Sequence, residues 1–425
     1  MATAKLFTCA RRCFSAVGRD EIGAAQNMTT GVNRAAAQAA GMDVDRLEAL
    51  VAHLDRTYLS TGKLPHMQLL LSRDEEVLLS VAKGQARASG EALQADALYR
   101  IASMTKPVTS VAFMMLVEAG RVALDTPVTD VVPEFADLRV GRGNKAKPAR
   151  AMLMIDLMRH TSGLTYGLQH QTPIDARYRK LGLDEFQQPR TSNQFVADLA
   201  TLPLEFSPGE RWNYSVSTDV LGVVVERLMG ADLESIFRDR IFDPLGMVDT
   251  TFMLPDEKAH RMTDAWKLTG KGGLSVADLG ARSGWRRKGR FLSGGGGLVS
   301  SLADYHRFAR MLLRGGELDG VRLLAAETVA QMRSNQLPGG GDLASMSSAM
   351  FSEADYQGVG FGLGFAMNLE NQEFYWGGVF STYFWIDPVE RLIGLFATQH
   401  LPSSTYPVRA ELRAGVRDAL IRRNG

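Results

Sequence analysis

Cysteine is nearly absent from this chain. Its 425 residues hold two, Cys9 and Cys13, both near the N-terminus. A disulfide framework, a thiolate zinc site and a cysteine nucleophile in the body of the chain are therefore excluded. Net charge is lacking too. With 48 Lys+Arg against 47 Asp+Glu, the formal charge is +1, which speaks against a nucleic-acid partner. No uninterrupted apolar run reaches about 18 residues, so no segment is predicted to span a membrane. No internal repeat is visible. Neither H-E-x-x-H nor H-x-x-x-H occurs, so no zinc site or other metal centre is expected, and no motif calls for a cofactor.

What is present is an ordinary globular composition, 45% hydrophobic and 22% charged, in a chain long enough to bury a large core without staples. Length alone predicts two or three domains of roughly 150 residues. Residues 1–40 look unlike the rest. Lys5, Arg11, Arg12 and Arg19 all precede the first acid, Asp20. The apolar stretch LFTCA is too short for a secretory signal. An Arg-rich, acid-poor organelle leader is one reading, and a loosely ordered extension is the favoured one. The compartment expected by default is the cytoplasm.

Asp43 is placed to cap a helix whose apolar face is Leu47, Leu50, Val51, Leu54 and Tyr58. The segments HMQLLLS and EVLLSVA flank the turn Arg73-Asp74-Glu75 and predict a β-hairpin. A short strand at Leu98–Ile101 leads into a helix over about 103–119 that stops at Gly120. Residues from about 120 to 260 read as mostly helical. FYWG, FSTYFWID and RLIGLFAT then read as successive strands, the last two parted by Asp387-Pro388. A closing amphipathic helix carries Val408, Leu412, Val416 and Leu420 on one face. The fold class is therefore α+β. The sheet part comes from about 41–105 and 285–425, and a mostly helical lobe from about 106–284. A site is expected in the cleft between them. The loops near Pro338–Gly341 and Gly294–Gly297 are glycine-rich, and the basic runs Arg139 to Arg150 and Arg286 to Arg290 read as solvated loops.

For a serine nucleophile, the α/β-hydrolase elbow G-x-S-x-G is missing. The seven histidines, His53, His66, His160, His170, His260, His306 and His400, then have no serine to serve and are expected to be structural or surface residues. The other arrangement, S-x-x-K, occurs three times. Ser80 and Lys83 fall on a strand, where residues three apart face opposite ways. Ser60 and Lys63 fall in a glycine-containing turn. Ser103 and Lys106 open a helix, where positions three apart are neighbours, and Ser103 meets the free N–H groups of the helix N-terminus. That helix is apolar all round, hence buried, and gives Lys106 a setting suited to proton transfer.

Two further segments join IASMTKPVTS. One is PLEFSPGERWNYSVSTDVLG, with Tyr214 just before a helix. The other is FYWGGVFSTYFWIDP, with Trp376-Gly377-Gly378 on a strand. This order resembles the serine β-lactamase and penicillin-binding-protein superfamily, and within it the class C β-lactamase-like esterases, the family VIII carboxylesterases. LDTPVTDVVPEF, LMRHTSGL, IFDPLGMVDTTF and SGGGGLVSSLADYHRFARMLL strengthen the resemblance, which runs from about residue 45 to 400. It implies a β-lactamase/transpeptidase-like fold, with 41–425 as one catalytic domain. It also implies Ser103 as the acylated nucleophile, with Lys106 and Tyr214 sharing the proton work. The N–H groups of Ser103 and Val379 would form the oxyanion hole. Gly377 and Gly378 would let the strand approach substrate, and Tyr166 would line the acyl pocket.

Two departures bear on substrate. Penicillin-recognising members carry Lys or His where this chain has Trp376, and an indole has only one neutral donor with which to hold a carboxylate. They also carry Asn two residues after the motif tyrosine, where this chain has Val216. Both changes point to neutral, apolar acyl substrates. The expected activity is hydrolysis of short-chain carboxylic esters, a small-molecule substrate, with weak cephalosporin hydrolysis as a side activity. A β-lactamase or D,D-peptidase, an acyltransferase of the same fold, a non-catalytic binding protein and a metal-dependent hydrolase are the alternatives.

Overall fold

The computed structural model describes residues 31–141, 146–287, 289–347 and 356–421. Cys9 and Cys13 lie outside them. Of the extension expected over 1–40, residues 1–30 lie outside the described residues and residues 31–40 belong to the fold. Gly31–Val32 (β1) pairs with the edge of the main sheet, and Arg34–Ala39 (α1) is a helix capped by Asn33. Apolar contact with the sheet outweighs polar composition here.

Asp43 accepts from the Arg46 amide and starts α2 (Val44–Leu54), which buries Leu47, Leu50 and Leu54. The hairpin forms as expected from β2 (His66–Arg73) and β3 (Glu76–Gly84). Its two loop residues, Asp74 and Glu75, both sit at positive φ, the twist that a two-residue hairpin loop requires. The chain then leaves for the lobe. It returns as five strands, β4 (Val359–Phe361), β5 (Ala366–Asn368), β6 (Phe374–Gly377), β7 (Tyr383–Asp387) and β8 (Leu392–Ala397). The eight strands lie in the order β1-β3-β2-β8-β7-β6-β5-β4, every neighbour antiparallel. The first hairpin and the C-terminal strands meet at β2 and β8, so the two chain ends build one sheet. All six residues of β8 are buried, as a strand covered on both faces requires.

Helix α3 (Thr105–Glu118) runs through the centre, with Thr105 to Met114 all buried. It packs on α4 (Ser217–Met229). The glycine-rich loop Gly294–Gly297 is buried and threads through the interior. A side chain on Gly294 would come 2.9 Å from the Thr218 carbonyl of α4. Helix α5 (Leu302–Leu313) lies on the sheet, with Tyr305 5.3 Å from Phe384 between ring centres. The closing helix α6 (Val408–Asp418) packs on α2, where Gly415 makes room for Leu50.

The stretch read as helical lobe also holds a small sheet. Ala265–Leu268 pairs with Leu274–Asp278 and with His400–Leu401. A buried arginine, Arg100, ties this sheet to the core through Asp278, the Thr263 carbonyl and Gln399. These strands are short, and one pairing reaches to His400–Leu401, more than a hundred residues on, so they carry little local pattern. No helix of the described residues is long and apolar enough to cross a membrane.

Buried histidines hold this framework. His306 of α5 is 2.7 Å from the Ser72 hydroxyl of β2, and burial pushes its pKa down to about 3. The unfolded chain takes up that proton below about pH 6.5 while the folded chain does not, so stability falls as pH drops from there. His306→Gln is expected to flatten this dependence. Between pH 7 and pH 5 it should lose about 2 kcal/mol less than the unsubstituted protein, read from urea denaturation midpoints. Parallel curves for the two proteins would show that His306 is protonated in the fold.

Candidate active site

Of the three S-x-x-K pairs, the structure brings one to a cleft. Ser60 and Lys63 are exposed in a turn. Ser80 is buried while Lys83 points out to Asp55, 2.6 Å away. Ser103 lies in the tight turn Ala102–Met104 that opens α3. Ala102, just before it, takes a φ of +44°. Such a conformation costs an alanine roughly 1 kcal/mol or more and is held only by its surroundings.

Ser103 is 7% exposed and Lys106 fully buried. Lys106 Nζ donates to Ser103 Oγ at 3.3 Å, to the Tyr166 hydroxyl at 3.1 Å and to the Gly295 carbonyl at 2.7 Å. Three oxygens thus surround one Nζ. Gly295 is held in turn by Asp219 of α4, which accepts from its N–H at 3.0 Å and from the Ser293 hydroxyl at 2.5 Å. Burial raises the Asp219 pKa, with the charge of Lys106 acting the other way. A side chain on Gly295 would strike the Asp219 carboxylate.

Tyr214 crosses the site from the turn before α4. Its main-chain carbonyl accepts from Gln169 at 2.5 Å. Its ring packs on Tyr166, Trp376 and His160, at 5.2, 5.2 and 4.9 Å between centres. Lys106 Nζ sits 4.7 Å from the ring centre, and Trp376 Nε1 donates to the hydroxyl at 3.3 Å. Val216, two residues on, is fully buried and offers the cleft no polar group.

Tyr166, expected to line the acyl pocket, is buried, and its hydroxyl accepts from Lys106 Nζ. Burial first, then Asp219, raises its pKa well above the ordinary value. It is therefore a neutral hydroxyl supporting Lys106. His160, also buried against Tyr214, has its pKa held well below normal by burial and by Lys106. It is a neutral packing residue, and the other histidines stay away from Ser103. Among the described residues no group of His, Cys, Asp and Glu is arranged to hold a metal ion.

The cavity measures about 490 Å³ and is lined by Ser103, Tyr214, Trp376, Gly378, Val379 and Tyr383, among others. Gly378 has a specific reason to be glycine. A Cβ there would lie 2.5 Å from the Ile101 carbonyl and would also meet the Thr382 hydroxyl. The end of β6 thus abuts the turn that carries Ser103. Gly377 makes room for something else, the guanidinium of Arg409, whose Cζ would be 2.9 Å from an added Cβ. Arg409 and Arg413 of α6 both line the cavity. The cavity therefore carries positive side chains beside the indole of Trp376.

Sequence reasoning missed Gly295, Asp219 and Arg409. The four-glycine run was a visible signal for the first. Asp219 and Arg409 lie on ordinary-looking helices, and only the tertiary contact distinguishes them.

A family model described as Beta-lactamase matches residues 46–417. The chain belongs to the β-lactamase family. It is 38% identical over 332 residues to Protein Rv1367c of Mycobacterium tuberculosis, covering 74% of this chain and 80% of that one. Identity to Esterase EstB of Burkholderia gladioli is 28% over 408 residues, covering 88% and 96%. Among solved structures, the fold matches EstCE1, described as a hydrolase with promiscuous acyltransferase activity, with a TM-score of 0.75 at 22% identity over 88% of this chain and 98% of that one. The fold is that of the serine hydrolases of this family.

Gly378→Ala is expected to force β6 away from the Ser103 turn. Turnover should fall at least about tenfold and the melting temperature by several degrees. Unchanged values for both would mean that the close approach to Ile101 has no role.

Proposed function

We propose that the protein is a serine carboxylesterase acting on short-chain esters through an acyl-enzyme on Ser103, in the manner of the family VIII carboxylesterases. The observation that carries this reading is the convergence on one buried Nζ. Lys106 reaches Ser103 Oγ while Tyr214, over whose ring it lies, faces the same cavity as Ser103.

In the proposed reaction Ser103 Oγ attacks the ester carbonyl, and its proton passes to the Lys106–Tyr214 pair. The N–H groups of Ser103 and Val379 hold the oxygen that becomes negative, where fixed donors act most strongly. The C–O bond to the alcohol breaks, and the alcohol leaves with the proton returned through Tyr214. Water then attacks the acyl-Ser103 ester by the same route in reverse, releasing the acid. Trp376 donates to the Tyr214 hydroxyl and so fixes its direction. Supporting the ester over the lactam are Trp376 and Val216, which stand where penicillin-recognising members have a cation and an amide. Cephalosporin hydrolysis is then a weak side activity. EstB, an esterase by name that is matched over most of both chains, points the same way.

The test is hydrolysis of p-nitrophenyl acetate, propionate and butyrate. Ser103→Ala should abolish it, and Tyr214→Phe should lower kcat by about 10²–10⁴-fold with the fold retained. Full activity in Ser103→Ala would falsify the reading. Full activity in Tyr214→Phe would leave the proton work to Lys106 alone. A chromogenic cephalosporin turned over faster than any ester would move the assignment to β-lactamase, and ester formation with an added alcohol outrunning hydrolysis would move it to acyltransferase.

A further inference from the structure

An oxyanion hole made by Ser103 and Val379 draws its two N–H groups from distant parts of the chain. One belongs to the turn that opens α3, the other to the turn between β6 and β7. A donor stabilises the developing charge only when it is aimed at the place where the oxygen becomes negative. The distance between the two turns must therefore be fixed. The β6–β7 turn is closed upon itself. The Gly378 N–H donates to the Thr382 carbonyl at 2.8 Å, and the Ser381 N–H to the Gly378 carbonyl at 3.0 Å. Ser381, at a φ of +68°, donates its hydroxyl to the His400 carbonyl at 2.8 Å. The His400 N–H donates back to the Phe380 carbonyl at 3.1 Å. Val379 thus rides on a turn with a set shape, and that shape alone does not locate Ser103.

The link across is a side chain. Thr382 is buried, and its hydroxyl donates to the Ile101 carbonyl at 3.2 Å. The same carbonyl accepts from the Met104 N–H at 3.1 Å, the bond that closes the turn around Ser103. A carbonyl oxygen has two lone pairs. Here one shapes the nucleophile's turn and the other holds the turn of Val379. The Ile101 N–H donates to the Leu298 carbonyl at 3.1 Å, so the receiving turn is itself anchored. Gly378 leaves the hydroxyl its place, since an added Cβ there would lie 2.3 Å from Thr382 Oγ1.

We propose that Thr382 is a positioning residue, whose hydroxyl sets the separation of the Ser103 and Val379 N–H groups and so the fit of the oxyanion hole. The inference rests on the esterase reading above and adds to it a residue that acts through the two turns. Such a residue serves the tetrahedral oxygen of both half-reactions, acylation and deacylation. Its loss slows both, so kcat falls while KM stays near its original value.

The experiment compares three variants. Thr382→Val puts a methyl where the hydroxyl was, Thr382→Ala removes the hydroxyl and adds no bulk against Ile101, and Thr382→Ser keeps the hydroxyl. Active sites are counted by labelling to completion with a fluorophosphonate, so that only folded enzyme is scored. With p-nitrophenyl butyrate, Thr382→Val and Thr382→Ala are expected to lower kcat per labelled site by about ten- to a hundredfold, with KM changed by no more than about twofold. Affinity for butylboronic acid, which forms a tetrahedral adduct on a serine oxygen, should fall by a similar factor. Thr382→Ser should recover most of both. Unchanged kcat in Thr382→Ala would overturn the proposal. So would a loss that Thr382→Ser shares, or a rise in KM in place of a fall in kcat, since either would make Thr382 a packing residue and leave the esterase standing. No hydrolysis of the p-nitrophenyl series by the unsubstituted protein would overturn the esterase reading itself, and the positioning role with it.

Discussion

A lysine cut off from solvent must have every donor satisfied by protein, and Lys106 sets that demand at the centre of this fold. Its three acceptors come from three places in the sequence: the turn opening α3, the strand-like stretch at Tyr166, and Gly295 nearly two hundred residues on. Bringing them together requires α3 to be buried and α4 to pack against it. It also requires the glycine run to thread between helices where no side chain fits. Asp219 fastens that run, and burial keeps its pKa raised beside the lysine it faces. The interior of the lobe is thus arranged around one buried lysine Nζ.

The second constraint is the close approach of β6 to the Ser103 turn. Gly378 lies against the Ile101 carbonyl, which sets the distance between sheet and lobe. The turn that follows places Val379 at the cavity and hangs Arg409 on its carbonyls. The arginines that line the cavity come from the C-terminal helix, while the strand position contributes the indole of Trp376.

Much of this was legible in the chain itself. The Asp43 cap, the hairpin at Arg73-Asp74-Glu75, the buried helix after Ser103 and the C-terminal strands each carry a local pattern whose period or turn chemistry matches their structure. The choice among three S-x-x-K pairs followed from strand and helix geometry alone. What stayed hidden depends on contacts between distant segments. The three-stranded sheet around Arg100 uses strands of two to five residues. The place of Tyr166 behind Lys106 is a matter of packing depth, which a single aromatic in a loop does not declare. Arg409 looks like any solvated arginine on an amphipathic helix until Gly377 leaves it room. Composition placed residues 31–40 in a loose extension, whereas β1 and α1 are fixed by what they touch.

The account stands on covalent chemistry at one atom. Its most direct test is mass spectrometry of the protein quenched in acid during turnover of p-nitrophenyl butyrate, followed by peptide mapping. The account predicts one butyryl increment on the peptide containing Ser103, absent in Ser103→Ala and lost as substrate runs out. A butyryl group on any other residue, or rapid hydrolysis with no acylated peptide at any time, would contradict it.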